Sequence, residues 1–130
     1  MKILVCVKEE VLLTALEFRL QRQGYEVESA RNGEEAREKA MSWAPDMTII
    51  GTEIKKLAGL ELIKQWRSEG SESAGMPIIL VAPLEAEEDI MRGFALGVND
   101  FVTKPFKPVE LVLRVRRIFE QGNARPGGEK

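Results

Sequence analysis

The chain has no histidine among its 130 residues and only one cysteine. The first absence removes imidazole acid–base catalysis, Ser-His-Asp triads and imidazole metal ligands together. The second leaves no disulfide framework and, with no histidine to help, no zinc site. No apolar run approaches the length of a membrane span. The formal net charge is -2, and no long block carries one sign. A general nucleic-acid-binding surface is therefore not indicated. The lone cysteine, Cys6, sits in an apolar run and reads as a buried core residue. With no signal peptide in view, the expected compartment is a reducing cytoplasm.

What is present suits one soluble domain. Apolar residues make up 44% and charged residues 31%, enough for a core without staples. "KILVCV" (Lys2 to Val7) reads as a strand buried on both faces. A helix is expected from about Val11 to Gln23, with Leu12, Ala15, Leu16 and Leu20 on one stripe and Gly24 as its stop. "YEVESA" reads as a second strand and Asn32-Gly33 as a turn. A helix from Glu34 to Trp43 turns Ala36 and Ala40 inward, and "MTIIG" is a third strand. A helix from Gly59 to Ser68 puts Leu60, Ile63 and Trp66 on one face. "GSESAG" (Gly70 to Gly75) is a polar loop and "PIILVA" a fourth strand. A helix from Glu85 to Leu96 begins rich in acids, which suits the positive end of its dipole. "DFVTKP" is a short fifth strand. The last helix, Val109 to Gln121, turns Leu111, Val112, Val115 and Phe119 inward. Residues 122–130 read as a tail or the start of a linker.

Five buried strands alternating with five helices predict an α/β domain over residues 1–121. The expected architecture is a (βα)5 flavodoxin-like three-layer sandwich with parallel order 2-1-3-4-5. In such sheets the chemistry sits outside the carboxyl ends of the strands. Those ends supply Val7-Lys8-Glu9-Glu10, Gly51-Thr52-Glu53, Ala82-Pro83 and Thr103-Lys104-Pro105. The loop "KEEV" lacks the glycines and hydroxyls that cradle a nucleotide or flavin phosphate.

The runs "KILV", "GYEV", "ARNGEEA", "PDMTII", "GLELI", "MPIILV" and "RGFALGVNDFVTKPFKPVEL" together resemble the receiver domains of two-component response regulators, the CheY-like family. The resemblance covers residues 2–121, and "DFVTKPF" after "GVN" is its most specific part. It implies a pocket in which two acids hold Mg²⁺, an aspartate takes a phosphoryl group from a histidine kinase, and a hydroxyl and a lysine bind the phosphoryl oxygens. In this chain the acidic pair falls on Val7 and Lys8. The acceptor falls on Gly51 and the hydroxyl on Ala82. Lys104 retains the lysine, and Phe101 holds the position of the switch aromatic. Sliding Glu9 and Glu10 into the acidic positions would turn the first helix's apolar stripe off the core.

The expectation is therefore a degenerate receiver with no catalytic residue, no metal ligand and no cofactor, its Mg²⁺ binding lost. Glu9 and Glu53 are expected to be solvated or to pair with Lys8 and Lys104. Thr52 is expected to point away from the pocket. The resemblance extends to receivers joined to winged-helix DNA-binding domains, whose fourth helix, fifth strand and fifth helix form a symmetric dimer face. Asp100, Glu110 and Arg114 match its charges, whereas Ile90 and Asn99 break two pairs. Ile90 and Leu113 are expected to be exposed. The reading is a phosphorylation-independent interaction or dimerisation module with a protein partner, without direct contact to nucleic acid or membrane. Two alternatives stay open: a vacated pocket that binds a small anionic ligand, and phosphorylation at an atypical acid such as Glu53.

Overall fold

The computed structural model describes residues 1–68, 70, 71 and 73–124. Five strands, β1 (Lys2–Cys6), β2 (Glu26–Ser29), β3 (Met47–Gly51), β4 (Ile78–Pro83) and β5 (Asp100–Lys104), alternate with five helices. The helices are α1 (Glu10–Arg22), α2 (Gly33–Trp43), α3 (Gly59–Trp66), α4 (Glu87–Leu96) and α5 (Pro108–Ala124). The strands form one parallel sheet in the order β2-β1-β3-β4-β5, the order expected from the sequence. The register pairs Cys6 with Ile50, Gly51 with Val81 and Pro83 with Lys104. The four ends that carry the site are thereby level with one another.

Period-two alternation sorts each strand's side chains between two cores. Ile3, Val5, Ile49, Ile79 and Val81 face α1 and α5, with Leu16, Leu20, Leu111, Val115 and Phe119. Leu4, Cys6, Ile50, Ile78 and Leu80 face the opposite side, with Ala36, Ala40, Leu62, Ile63 and Trp66. Both faces of the central strands are dry, so they read as continuous apolar runs.

Several boundaries move by one to three residues. β1 ends at Cys6, α3 stops at Trp66 and α4 starts at Glu87 rather than Glu85. Asn32-Gly33 is not a free turn but the start of α2. Asn32 Oδ1 accepts from Glu35 N at 2.9 Å, and Glu35 Oε1 accepts from Arg31 N at 3.1 Å. These are the reciprocal bonds of a helix cap. α5 continues through Ala124, so the first three residues of the expected tail are helical, while residues 125–130 lie outside the described residues.

Ile90 is half-buried and not exposed as expected. The cause is Gly93, buried where α4 meets the sheet. A Cβ there would come within 2.7 Å of Leu80 Cδ2. Ile90 lies three residues before it on the inner flank of the helix. Met91 and Phe94 are rotated outward instead, and Leu113 is exposed as expected.

Candidate functional site

The ends of β1, β3, β4 and β5 form a shallow floor. Val7, Gly51 and Ala82 are buried in it. A Cβ added at Gly51 would lie 3.7 Å from the Val81 carbonyl oxygen and 3.8 Å from the Cys6 carbonyl oxygen and Val7 Cα. Position 51 therefore has room for a side chain, and glycine is not forced there by packing. Gly59 is different. Its missing Cβ would collide with the Gly51 carbonyl oxygen, so the start of α3 rests on the end of β3. Gly33 repeats this against the Leu57 carbonyl, and Gly33 N donates to Lys55 O at 3.0 Å. The β3–α3 loop is held between α2 and α3 by these two close approaches.

Over this floor one ammonium holds two carboxylates. Lys104 Nζ donates to Glu9 Oε2 at 2.7 Å and to Glu53 Oε1 at 2.6 Å. The lysine is 21% exposed on its side chain and the acids 42% and 39%, so the triad is shielded mainly at the nitrogen. The hydrogen bond from Lys104 holds the Glu9 carboxyl below its usual range against the opposing effect of burial. Burial pulls Lys104 down, but the bonds from Glu53 and Glu9 outweigh it and its pKa is raised. Glu9 Oε1 is buried without a hydrogen-bond partner. Of the two arrangements open for Glu9 and Glu53, the pairing with Lys104 is the one present.

Lys8 is exposed and turned toward a separate hollow of about 350 Å³, which it lines with Glu10, Glu17 and Arg31. It adds only a weak pull on Glu9. Thr52 lines another hollow, about 580 Å³ between α3 and α4, with Leu60, Lys64 and Arg92. Its hydroxyl oxygen is buried with no partner. Cys6 lies beneath the site, and its thiol is pushed up to about 12 by burial and then by the Glu35 charge. It is a packing residue with no reactive thiolate.

At the edge formed by β5, α4 and α5, Asp100, Arg114 and Asn99 are engaged within the chain. Arg114 Nη1 donates to both Asp100 oxygens, at 2.9 and 2.8 Å. Asn99 Oδ1 accepts from Ile78 N at 2.9 Å and from Arg67 Nη2 at 3.2 Å. Asn99 thus ties the start of β4 to the end of α3. Phe101 is half-buried and meets Phe94 edge-on, with ring centroids 5.4 Å apart. Glu110 is exposed beside Leu113 and Arg114. The outward turn of Met91 and Phe94 escaped the sequence reading. Its signal is Gly93, a helix-interior glycine that marks close backbone approach.

Among the described residues no helix is long and apolar enough to cross a membrane. No cluster of three or more acidic, cysteine or histidine side chains is placed to hold a metal ion among them.

Comparisons with known proteins agree with this architecture. The alkaline phosphatase synthesis transcriptional regulatory protein PhoP of Bacillus subtilis is 38% identical over 129 residues, 98% of this chain and 52% of that protein. The phosphate regulon transcriptional regulatory protein PhoB of Rhizobium meliloti is 32% identical over 92% of this chain and 52% of its own length. The chain spans about half the length of the curated relatives it matches. Among solved structures, a response regulator from Chloroflexus aurantiacus superposes with a TM-score of 0.83 at 32% identity, covering 90% of this chain and 95% of that one. The chemotaxis response regulator CheY4 of Vibrio cholerae superposes with a TM-score of 0.82 at 28% identity, covering 90% and 97%. The family model of the response regulator receiver domain matches residues 3–116, and the chain belongs to that family.

Proposed function

We propose that this domain is a receiver that works without phosphoryl transfer, as a protein-binding module in two-component signalling. The observation that carries the reading is the engagement of Lys104. In a phosphorylatable pocket this ammonium is available to a transferred phosphoryl group. Here Glu9 and Glu53 already neutralise it. The remaining positions offer Val7, an outward-turned Lys8, Gly51 and Ala82, none of which is an anionic oxygen ligand for Mg²⁺. No carboxylate stands at the end of β3 to accept a phosphoryl group, so this reading gives the domain no phosphoryl chemistry. Signal then enters through a partner surface.

The same ion pairs disfavour the alternative of an anionic ligand, since two carboxylates already face Lys104. Phosphorylation of Glu53 is disfavoured because its carboxylate is bound to that lysine with no divalent metal beside it. The relatives named as transcriptional regulators support a place in bacterial signalling, and the output of this chain is assigned here only to protein contact.

The test is a titration with Mg²⁺ and beryllofluoride followed by backbone amide spectra. The expected result is no saturable shift at Gly51, Ala82, Phe101 or Lys104. A saturable shift at these amides, dependent on both reagents, would overturn the reading.

A further inference from the structure

Two outward stripes lie on opposite faces of the sheet, because α1 packs with α5 on one side and α4 packs on the other. On α1, Val11 is 85% and Phe18 59% exposed. Their spacing of seven puts them on one line, continued by Arg22 four residues on. The Arg22 guanidinium lies 5.6 Å from the Phe18 ring centroid, so the apolar end of the stripe carries a positive charge. On α4, Met91 is 71% and Phe94 48% exposed, with Glu88 one turn earlier on the same face. Among the described residues neither Arg22 nor Glu88 takes part in an ion pair. One stripe is thus apolar with a free cation, the other apolar with a free anion. No single molecule can bring them together.

We propose that the chain self-associates head to tail, the α1 stripe of one copy docking antiparallel on the α4 stripe of the next. Antiparallel packing sets the C-terminal end of α1, with its arginine, against the N-terminal end of α4, with its glutamate. The helix dipoles favour the same direction. Arg22 and Phe18 are four residues apart, and Glu88 and Met91 three, so both pairs fall into register within one turn. Phe94 then meets the α1 surface between Phe18 and Val11. Two of the charges that the family resemblance assigned to a symmetric face, Asp100 and Arg114, pair with each other within the chain. Because the two surfaces differ, the contact is heterologous and adds further copies instead of closing a two-fold pair. Two helix stripes make a small interface, at the low end of specific contacts, so the association is weak and concentration-dependent.

This inference rests on the protein-binding reading, but its outcome is separate: sedimentation reads it, whereas phosphoryl chemistry is read by mass. The experiment is sedimentation velocity on the full chain from about 10 μM to about 1 mM, the range of weak association. The expected result is a weight-average mass that rises with concentration and falls again in high salt. Phe18→Glu and Met91→Glu each give a monomer at every concentration. Mixed at equal amounts they give a 1:1 complex that grows no further, because each variant retains one intact stripe. Arg22→Glu weakens the wild-type association at least about tenfold, and Glu88→Arg in the same chain restores it. Three results would overturn the proposal: a wild-type mass flat across the range, self-association of folded Phe18→Glu alone, or no complex on mixing the two variants.

Discussion

Lys104 Nζ stands 2.6 Å from Glu53 Oε1, and this contact joins the end of β5 to the loop after β3 across the mouth of the pocket. The second bond, to Glu9, brings in the loop after β1. Two βα loops and the end of a third strand therefore meet on one nitrogen. The lysine that the family resemblance ties to phosphoryl binding acts here as a cross-brace.

Lys104→Met should lower stability by about 1 kcal/mol, the upper part of the range for partly exposed pairs. It leaves Glu9 and Glu53 facing each other with no cation between them. Urea denaturation at neutral pH checks this. A doubly substituted Glu9→Gln, Glu53→Gln chain should lose less than Lys104→Met, because it leaves no carboxylates to repel one another.

The brace has a pH signature with two limbs. The Glu9 pKa is lowered on folding. Its contribution is therefore present above the unfolded carboxylate value of about 4.3 and is lost as pH falls through the folded value. The Lys104 pKa is raised. Its contribution is complete below about 10.4 and is lost as pH rises through the folded value. Glu9→Gln should flatten the acid limb of a stability–pH curve and leave the neutral plateau nearly level.

Gly59→Ala should cost about 2 kcal/mol or more, as overpacking against a rigid neighbour does. The added Cβ meets the Gly51 carbonyl, which the sheet cannot move. Gly51→Asp is sterically mild by contrast, since its Cβ meets only ordinary contacts. Alone it should still give no Mg²⁺ binding heat in isothermal titration calorimetry. Adding Val7→Asp and Lys8→Asp should create one, because the family resemblance places the metal acids at those two positions.

The fold was legible because most of the strands are short apolar runs, and β3, β4 and β5 have Gly, Pro or Asn at their ends. The reading of positions 7, 8, 51 and 82 as departures from the family pattern rests on register, because the pattern on either side leaves no slack. Rotation of α4 was not legible from apolar spacing. Ile90, Met91 and Phe94 are equally apolar, and only the contact of Gly93 with Leu80 decides which turn outward. The Lys104 triad joins residues 95 and 51 positions apart. Sequence could supply its charges and an option of pairing, but the geometry comes from tertiary structure.

The Asn99 side-chain oxygen caps the β4 entry and holds Arg67. Asn99→Ala should destabilise the domain by about 1–3 kcal/mol, the cost of leaving the N–H of buried Ile78 without its partner. Thermal unfolding checks it, and sedimentation of the folded variant should match the wild type.

The most direct test of the central claim is exposure of the full chain to acetyl phosphate and Mg²⁺, followed by acid quench and intact-mass measurement. The account predicts a single unmodified mass at all times. A stoichiometric phosphorylated species, cleaved by hydroxylamine as an acyl phosphate is, would contradict it.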